Sequence, residues 1–365
     1  FRGHKLAGDW QAALGVTVRV PHLSWVTMLG EAKRDYPASI HYQSPWFREY
    51  PLIENHFARL NTVMTRGKAK VKVGVIHPVE SYWLHWGPQE QTSAIRKHLD
   101  GNFANLTDWL LFGQIDFDYI SEALLPRQCE TGGAPLKVGA MEYDVILVPG
   151  CETLRSTTVE RLRAFAQAGG KLLFLGSVPT LVDAVPSGAG KELAASAQVI
   201  GFSEYEILCA LEPERLVEIV DQNGARTNGL LTQMRTDGDR EWLFIAHGRQ
   251  PVQPMWDPRI ALLGKDVLPQ ENITIRISGE YIPTLYNTMT GEIVPLQCAY
   301  QNGKTEIRYS FYPHYSILIR LEKGRRPAGE GVSFAKAIAP FRLSHNSLAA
   351  RDADTPFFAK ACVTF

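Results

Sequence analysis

The residues of this chain best equipped for chemistry crowd together near its start. Within VTVRVPHLSWVTMLGEAKRDYPASIHYQSPW, residues 16–46, stand His22, Trp25, Glu31, Lys33, Arg34, Asp35, His41 and Trp46. A carboxyl such as Glu31 can exchange a proton with a glycosidic oxygen. Glycoside hydrolysis usually employs two such groups, about 5 to 5.5 Å apart in a retaining enzyme and about 6.5 to 9.5 Å in an inverting one. Trp25 and Trp46 offer flat apolar faces suited to the C–H face of a pyranose, with Trp25 the better placed. His22, Lys33, Arg34, Asp35 and His41 would supply partners for sugar hydroxyls. The segment therefore reads as a carbohydrate site with Glu31 as its catalytic carboxyl. Plainer roles compete: Glu31 beside Lys33 and Arg34 suits an ion-pair network, His22 suits a hydrogen-bonded rim, and loop tryptophans often fill apolar gaps.

Such a site needs elements to aim it. The run Val16 to Leu23 opens on β-branched residues and reads as a buried strand of a parallel sheet, at whose C-terminal end ligands collect. DWQAALG before it reads as a short helix stopped by Gly15. PLIENHFARLNTVMTRG, residues 51–67, carries Leu52, Ile53, His56/Phe57, Leu60 and Met64 at helical spacing and closes on Gly67. Helix, strand, loop and helix make the end of a (β/α)8 barrel over residues 1–67. The chain opens at Phe1 with no initiator Met, signal peptide or complete first element, so it reads as starting inside a larger protein, with the second catalytic acid upstream.

A new pattern starts after a boundary near Gly67 to Lys70. VKVGVIH (71–77), a long amphipathic helix over 90–112, Phe117 to Ile120, YDVILV (143–148), a helix over 156–168 and Lys171 to Leu175 alternate as strands and helices. That implies an open, flavodoxin-like α/β domain over 71–220. Cys151 follows a strand end, where a nucleophile could sit, but neither a glycine-flanked turn nor a later histidine supports it, so packing is expected. Glu80, Trp83 and Trp86 are expected at a domain interface. From Phe202 onward the period shortens to two. The strands flanking Asp237-Gly238, ITIRI (273–277) and SILIRL (316–321) imply an antiparallel β-sandwich over 225–322. Residues 323–365 read as a linker and the start of a further β-domain or tail.

The phrase YDVILVPGCETLRSTTVERLRAFAQAGGKLLFLG resembles the class I glutamine-amidotransferase-like domain that follows the barrel in many glycoside hydrolases, as in family 42 β-galactosidases. That resemblance implies a domain with no amidotransferase activity. PHLSW, KRDYP, YQSPW and HFARLNTVMTRGK are similar to the last part of the barrel in α-L-rhamnosidase-like glycosidases. Together these cover about residues 1–320 and imply a portion of a glycoside hydrolase. Barrels of that kind can hold calcium, but no local Asp/Glu cluster offers ligands, so neither metal nor cofactor is expected. A rival reading is a non-catalytic α/β binding or oligomerisation module, pairing through Trp83, Trp86 and Trp109.

Thirty-eight basic residues balance thirty-eight acidic ones, which gives no electrostatic case for nucleic acid or an anionic membrane. No run approaches the roughly twenty apolar residues of a membrane span. Five scattered cysteines, at 129, 151, 209, 298 and 362, lack zinc-site spacing, and read as buried reduced thiols that favour a cytoplasmic setting.

Overall fold

A computed structural model describes residues 2–22, 24–27, 29–31, 40, 42–249, 270–327 and 329–333. The chain divides into two compact units, residues 1–67 with 219–365, and residues 68–218. The first unit opens with α1 (Arg2–Ala13), which ends where Gly15 turns to φ +96°. α2 (Tyr50–Met64) begins with a proline in its first turn, where the missing N–H costs nothing. It buries Ile53, His56, Phe57, Leu60, Val63 and Met64 along one stripe. The two helices approach closely at Gly8, where an added Cβ would fall 2.2 Å from the Phe57 ring.

The second unit is a parallel sheet. Its strands are β1 (Val73–Ile76), β2 (Phe117–Ile120), β3 (Val145–Pro149), β4 (Lys171–Leu175) and β5 (Gln198–Ile200). They lie in the order 5-4-3-1-2, every neighbouring pair parallel. This is the flavodoxin-like order. Helices cover both faces, which is why β1, β3 and, after Lys171, β4 are buried without a break rather than alternating. Ile76, Ile146, Val148, Leu172 and Phe174 pack with Val159, Leu162 and Phe165 of α5 (Ser156–Gln167). Their sequence neighbours Val73, Val75, Val145, Leu147, Leu173 and Leu175 point the other way. These meet Leu106 and Leu110 of α4 (Gln89–Phe112) and Ile207 and Leu211 of α6 (Glu204–Leu211). Six short residues of α3 (Val79–Leu84) follow β1. Trp109, which the rival reading puts at a subunit interface, is half-buried against this second layer, 5.8 Å from Phe202.

The chain re-enters the first unit through β6 (Val217–Val220), an edge strand. β7 (Leu230–Asp237) and β8 (Arg240–His247) form a hairpin whose tight turn places Gly238 at φ +64°. Beyond them run β9 (Gln270–Ser278), β10 (Tyr281–Tyr286), β11 (Ile293–Pro295), β12 (Ala299–Gln301), β13 (Lys304–Phe311) and β14 (Ser316–Lys323). One antiparallel sheet runs β7-β8-β14-β10-β11 and another β6-β9-β13-β12. β9 buries Ile273, Ile275 and Ile277 and leaves the residues between half-exposed, the alternation of a sheet with one apolar face. β8 is different. Every residue from Glu241 to His247 is buried, because α1 packs across it.

One expectation fails here: residues 16–22 form no strand. No closed barrel is present among the described residues. Val16, Val18 and Val20 are 42, 70 and 87% exposed. A strand is stable only when neighbours take its backbone groups and cover its side chains, and none of the paired strands lies along this segment. β-branched residues permit an extended chain but do not bury it.

Candidate functional site

The polar segment of the first unit is held on α2 rather than on a sheet. Arg19 lays its guanidinium 3.7 Å from the centre of the Phe57 ring and 3.8 Å from Glu54. His22 and Glu31 are exposed, and Trp25 is half-buried. Trp46 is 37% exposed and tilts against Tyr50 at 5.9 Å, both beside a small cavity with His4, Glu49 and Ile53. Lys33, Arg34, Asp35 and His41 lie outside the described residues.

Behind α2 sits a cluster that sequence reasoning missed. Asp9 accepts a hydrogen bond from Lys5 Nζ at 2.5 Å and faces His56 Nε2 at 2.7 Å. His56 Nδ1 lies 2.8 Å from Thr288 Oγ1, and Lys5 also donates to the His314 carbonyl and Ser316 Oγ, each at 2.9 Å. All four side chains are nearly or fully buried. Burial holds His56 below its ordinary pKa despite Asp9, so the ring is neutral. A carboxylate only accepts, so Nε2–H donates to Asp9 and Nδ1 accepts from the threonine hydroxyl. For Asp9, burial opposes ionisation but Lys5 and His56 outweigh it and hold the carboxyl well below its usual range. One cation, one anion and one neutral ring satisfy one another, which is the arrangement of a structural lock between α1, α2 and the sheets. The one sequence signal was a histidine on the apolar stripe of α2.

In the second unit the parallel strands change direction of progress between β1 and β3, the crevice where open α/β sheets place ligands. A cavity of about 190 Å³ lies at those strand ends. His77 and Pro78 come from the end of β1, Pro149 and Gly150 from the end of β3, Asp100, Asn102 and Phe103 from α4, and Tyr82 from α3. His77 stands edge-on to Phe103 at 5.4 Å and to Tyr119 at 5.6 Å, which fixes its ring. Burial lowers its pKa. The sequence marked His77 only as the last residue of a strand.

On the other side of the same strand ends lies a second buried cluster. Glu122 Oε2 accepts from the Arg155 amide at 2.8 Å, and the Thr158 hydroxyl adds a weaker pull on the same carboxyl. Burial pushes this carboxyl up to about 7, against the pull of the Arg155 N–H. Arg155 turns its guanidinium to Glu80, Nε to Oε1 at 2.7 Å. Cys151 is buried beside Glu122, and burial first, then that carboxyl, raises its thiol far above the ordinary range. A thiol kept protonated is a poor nucleophile. At the ends of β3 and β4 the left-handed positions, φ +59° and +79°, belong to Gly150 and Gly176, so neither sharp turn presents a side chain for attack. Of the other thiols, Cys129 is buried, Cys298 half-buried and Cys209 exposed, which corrects the expectation of uniformly buried cysteines; Cys362 lies outside the described residues. Trp83 and Trp86, 57 and 70% exposed, stand at the surface, with the Arg96 guanidinium 5.1 Å from the Trp86 ring.

Among the described residues no group of three or more His, Cys, Asp or Glu is placed to hold a metal ion. Among them, too, no helix is long and apolar enough to cross a membrane.

No family model matches the chain. No curated protein matches it either. Among solved structures it is similar to a rhamnosidase from Novosphingobium sp. PP1Y, at 15% identity and a TM-score of 0.59, over 92% of this chain and 30% of that one. Weaker likenesses are to α-L-fucosidase isoenzyme 2 from Paenibacillus thiaminolyticus (11% identity, TM-score 0.45, 76% of this chain and 53% of that one) and a β-galactosidase from Bacillus circulans sp. alkalophilus (12% identity, TM-score 0.40, 77% and 46%). The chain thus spans less than a third of the rhamnosidase's length and about half of the other two. At this identity the rhamnosidase likeness establishes a shared fold: the chain is built like part of a glycoside hydrolase.

Proposed function

We propose that this chain is a portion of a glycoside hydrolase that cleaves glycosidic bonds of oligo- or polysaccharides by carboxylate acid/base catalysis. The observation that carries the reading is the fold shared with the rhamnosidase along 92% of the chain. In this reading Glu31 is one of the two carboxyls, its partner belongs to the remainder of a longer enzyme, and His22, Trp25, Lys33, Arg34, Asp35, His41 and Trp46 bind the sugar. The exposure of Glu31 and His22 leaves both accessible to a substrate. Residues 68–218 serve as a non-catalytic amidotransferase-like domain, a role supported by the buried, protonated Cys151.

The test is steady-state kinetics of the full-length enzyme on a panel of p-nitrophenyl glycosides, α-L-rhamnoside first. Glu31→Gln should lower kcat/KM by about 10² to 10⁴, the usual worth of a general acid or base. A fall below about tenfold makes Glu31 structural. In the same assay Trp25→Ala should raise KM, with a loss of about 1 to 3 kcal/mol for one buried aromatic contact. A second reading, a module that pairs with other copies through the α/β unit, draws on the exposed Trp83 and Trp86, and light scattering on the purified chain separates it from a monomer.

A further inference from the structure

The cavity at the β1/β3 crevice has a chemistry of its own, independent of the polar segment and of any hydrolysis. Its apolar walls combine the aromatic rings of Phe103, Tyr82 and Phe202 with the aliphatic side chains of Val79, Leu99 and Leu106. Three polar side chains project among them, and their hydrogen-bonding capacity is largely unspent. No hydrogen bond to the His77 ring nitrogens is found among the described residues, and the same holds for any hydrogen bond or ion pair to the Asp100 carboxylate. The Asn102 amide nitrogen lies 3.2 Å from His98 Nε2, which leaves its carbonyl oxygen for another donor. At neutral pH the half-buried imidazole of His77, its pKa lowered, offers one N–H and one lone pair.

These features select a ligand class. The lining holds one carboxylate and no lysine or arginine, so phosphates, sulfates and nucleotides meet repulsion rather than a counter-charge. The turn after β3 has no phosphate-cradling glycine repeat. A volume of about 190 Å³ lies below the roughly 300 to 1,000 Å³ that drug-sized ligands fill, and suits a single ring. Aromatic rings lining the same cavity as a carboxylate, an amide carbonyl and an imidazole match a ring with an apolar C–H face and an edge of hydroxyl donors. We propose that this crevice binds one neutral hexopyranose, its C–H face against Phe103 and its hydroxyls on Asp100, Asn102 and His77.

The experiment uses the whole chain and D-glucose, D-galactose and L-rhamnose, each titrated separately and followed by saturation-transfer NMR, with indole read in the same way and inorganic phosphate followed by phosphorus NMR line broadening as comparison probes. At least one sugar should bind. The Asp100→Asn/Asn102→Ala pair, at positions outside the buried core, should weaken it about tenfold or more, and Phe103→Ala by a similar factor. Circular dichroism confirms that each variant is folded, and Asp100→Asn alone serves if the others are not. Binding is read on the Asp100→Asn/Asn102→Ala pair and hydrolysis on Glu31→Gln, so failure of this proposal and failure of the glycosidase reading are distinguishable. Absence of binding by all three sugars, binding that survives the Asp100/Asn102 change, or preference for phosphate or indole overturns the proposal.

Discussion

Each unit of this protein buries an ionic cluster, and the two are built on opposite logic. In the first unit Lys5, Asp9, His56 and Thr288 close on one another, with one ammonium balancing one carboxylate and both imidazole nitrogens engaged. In the second, Glu122 takes only neutral donors, the Arg155 amide and the Thr158 hydroxyl, while the Arg155 guanidinium turns to Glu80 instead. Burying a charge is tolerable only when partners replace the lost water. The first cluster meets that condition and stays ionised. The second does not, and Glu122 escapes the cost by holding its proton up to about pH 7. Completeness of pairing, more than depth, decides whether a buried carboxylate is charged.

The most severe way to break this contrast is Asp9→Ala, which strands the Lys5 ammonium in the interior. A loss of about 3 to 5 kcal/mol is expected in urea unfolding of the first unit. A loss under about 1 kcal/mol would mean that the cluster is not the lock described. Next comes pH. The folded pKa of Glu122 lies above its unfolded value, so between pH 4.5 and 7 the native state holds a proton that the unfolded chain has released. Stability of the second unit should therefore be greatest below that window and decline as pH rises through it, by on the order of 3 kcal/mol at most. Glu122→Gln should flatten the decline, as read by hydrogen exchange of the β1, β3 and β4 amides. An unchanged slope in the variant assigns the effect to another group. The smallest effect belongs to Cys151. It should resist iodoacetamide under conditions that label the exposed Cys209, and Cys151→Ala should change stability by about 1 kcal/mol while leaving full-length activity within a few-fold. Rapid labelling of Cys151, seen by mass spectrometry, would restore it as a candidate nucleophile.

How legible each part was in the sequence follows from the range of the interactions that make it. β4 was readable to the residue, since LLFL is apolar on both faces and helices cover both. α2 was readable from the stripe Ile53, Phe57, Leu60 and Met64. Val16 to Val20 misled, because β-branched residues record a backbone preference and not the presence of a covering layer. The partners of His56 and Lys5, Thr288 and the His314–Ser316 stretch, lie more than two hundred residues further along, and no local pattern announces them. The crevice fell between these cases. The sequence put His77 at a strand end without singling it out, and its companions Asp100, Asn102 and Phe103 sit on a long helix that reads as ordinary amphipathic sequence.

The order of units along the chain has a consequence for how the molecule is made. Residues 68–218 interrupt the first unit, so the contact of Lys5 with the carbonyl of His314 spans 309 positions. At about 5 to 20 residues per second, the partner emerges from the ribosome roughly 15 to 60 s after α1 does. Throughout that wait the helices of the opening segment lack the sheets they pack on, while the parallel sheet of the inserted unit, whose five strands all lie within 68–218, already has every strand it needs. Synthesis itself thus imposes a sequence on assembly, in which the inserted unit matures first and the buried lysine, aspartate and histidine are sealed in last.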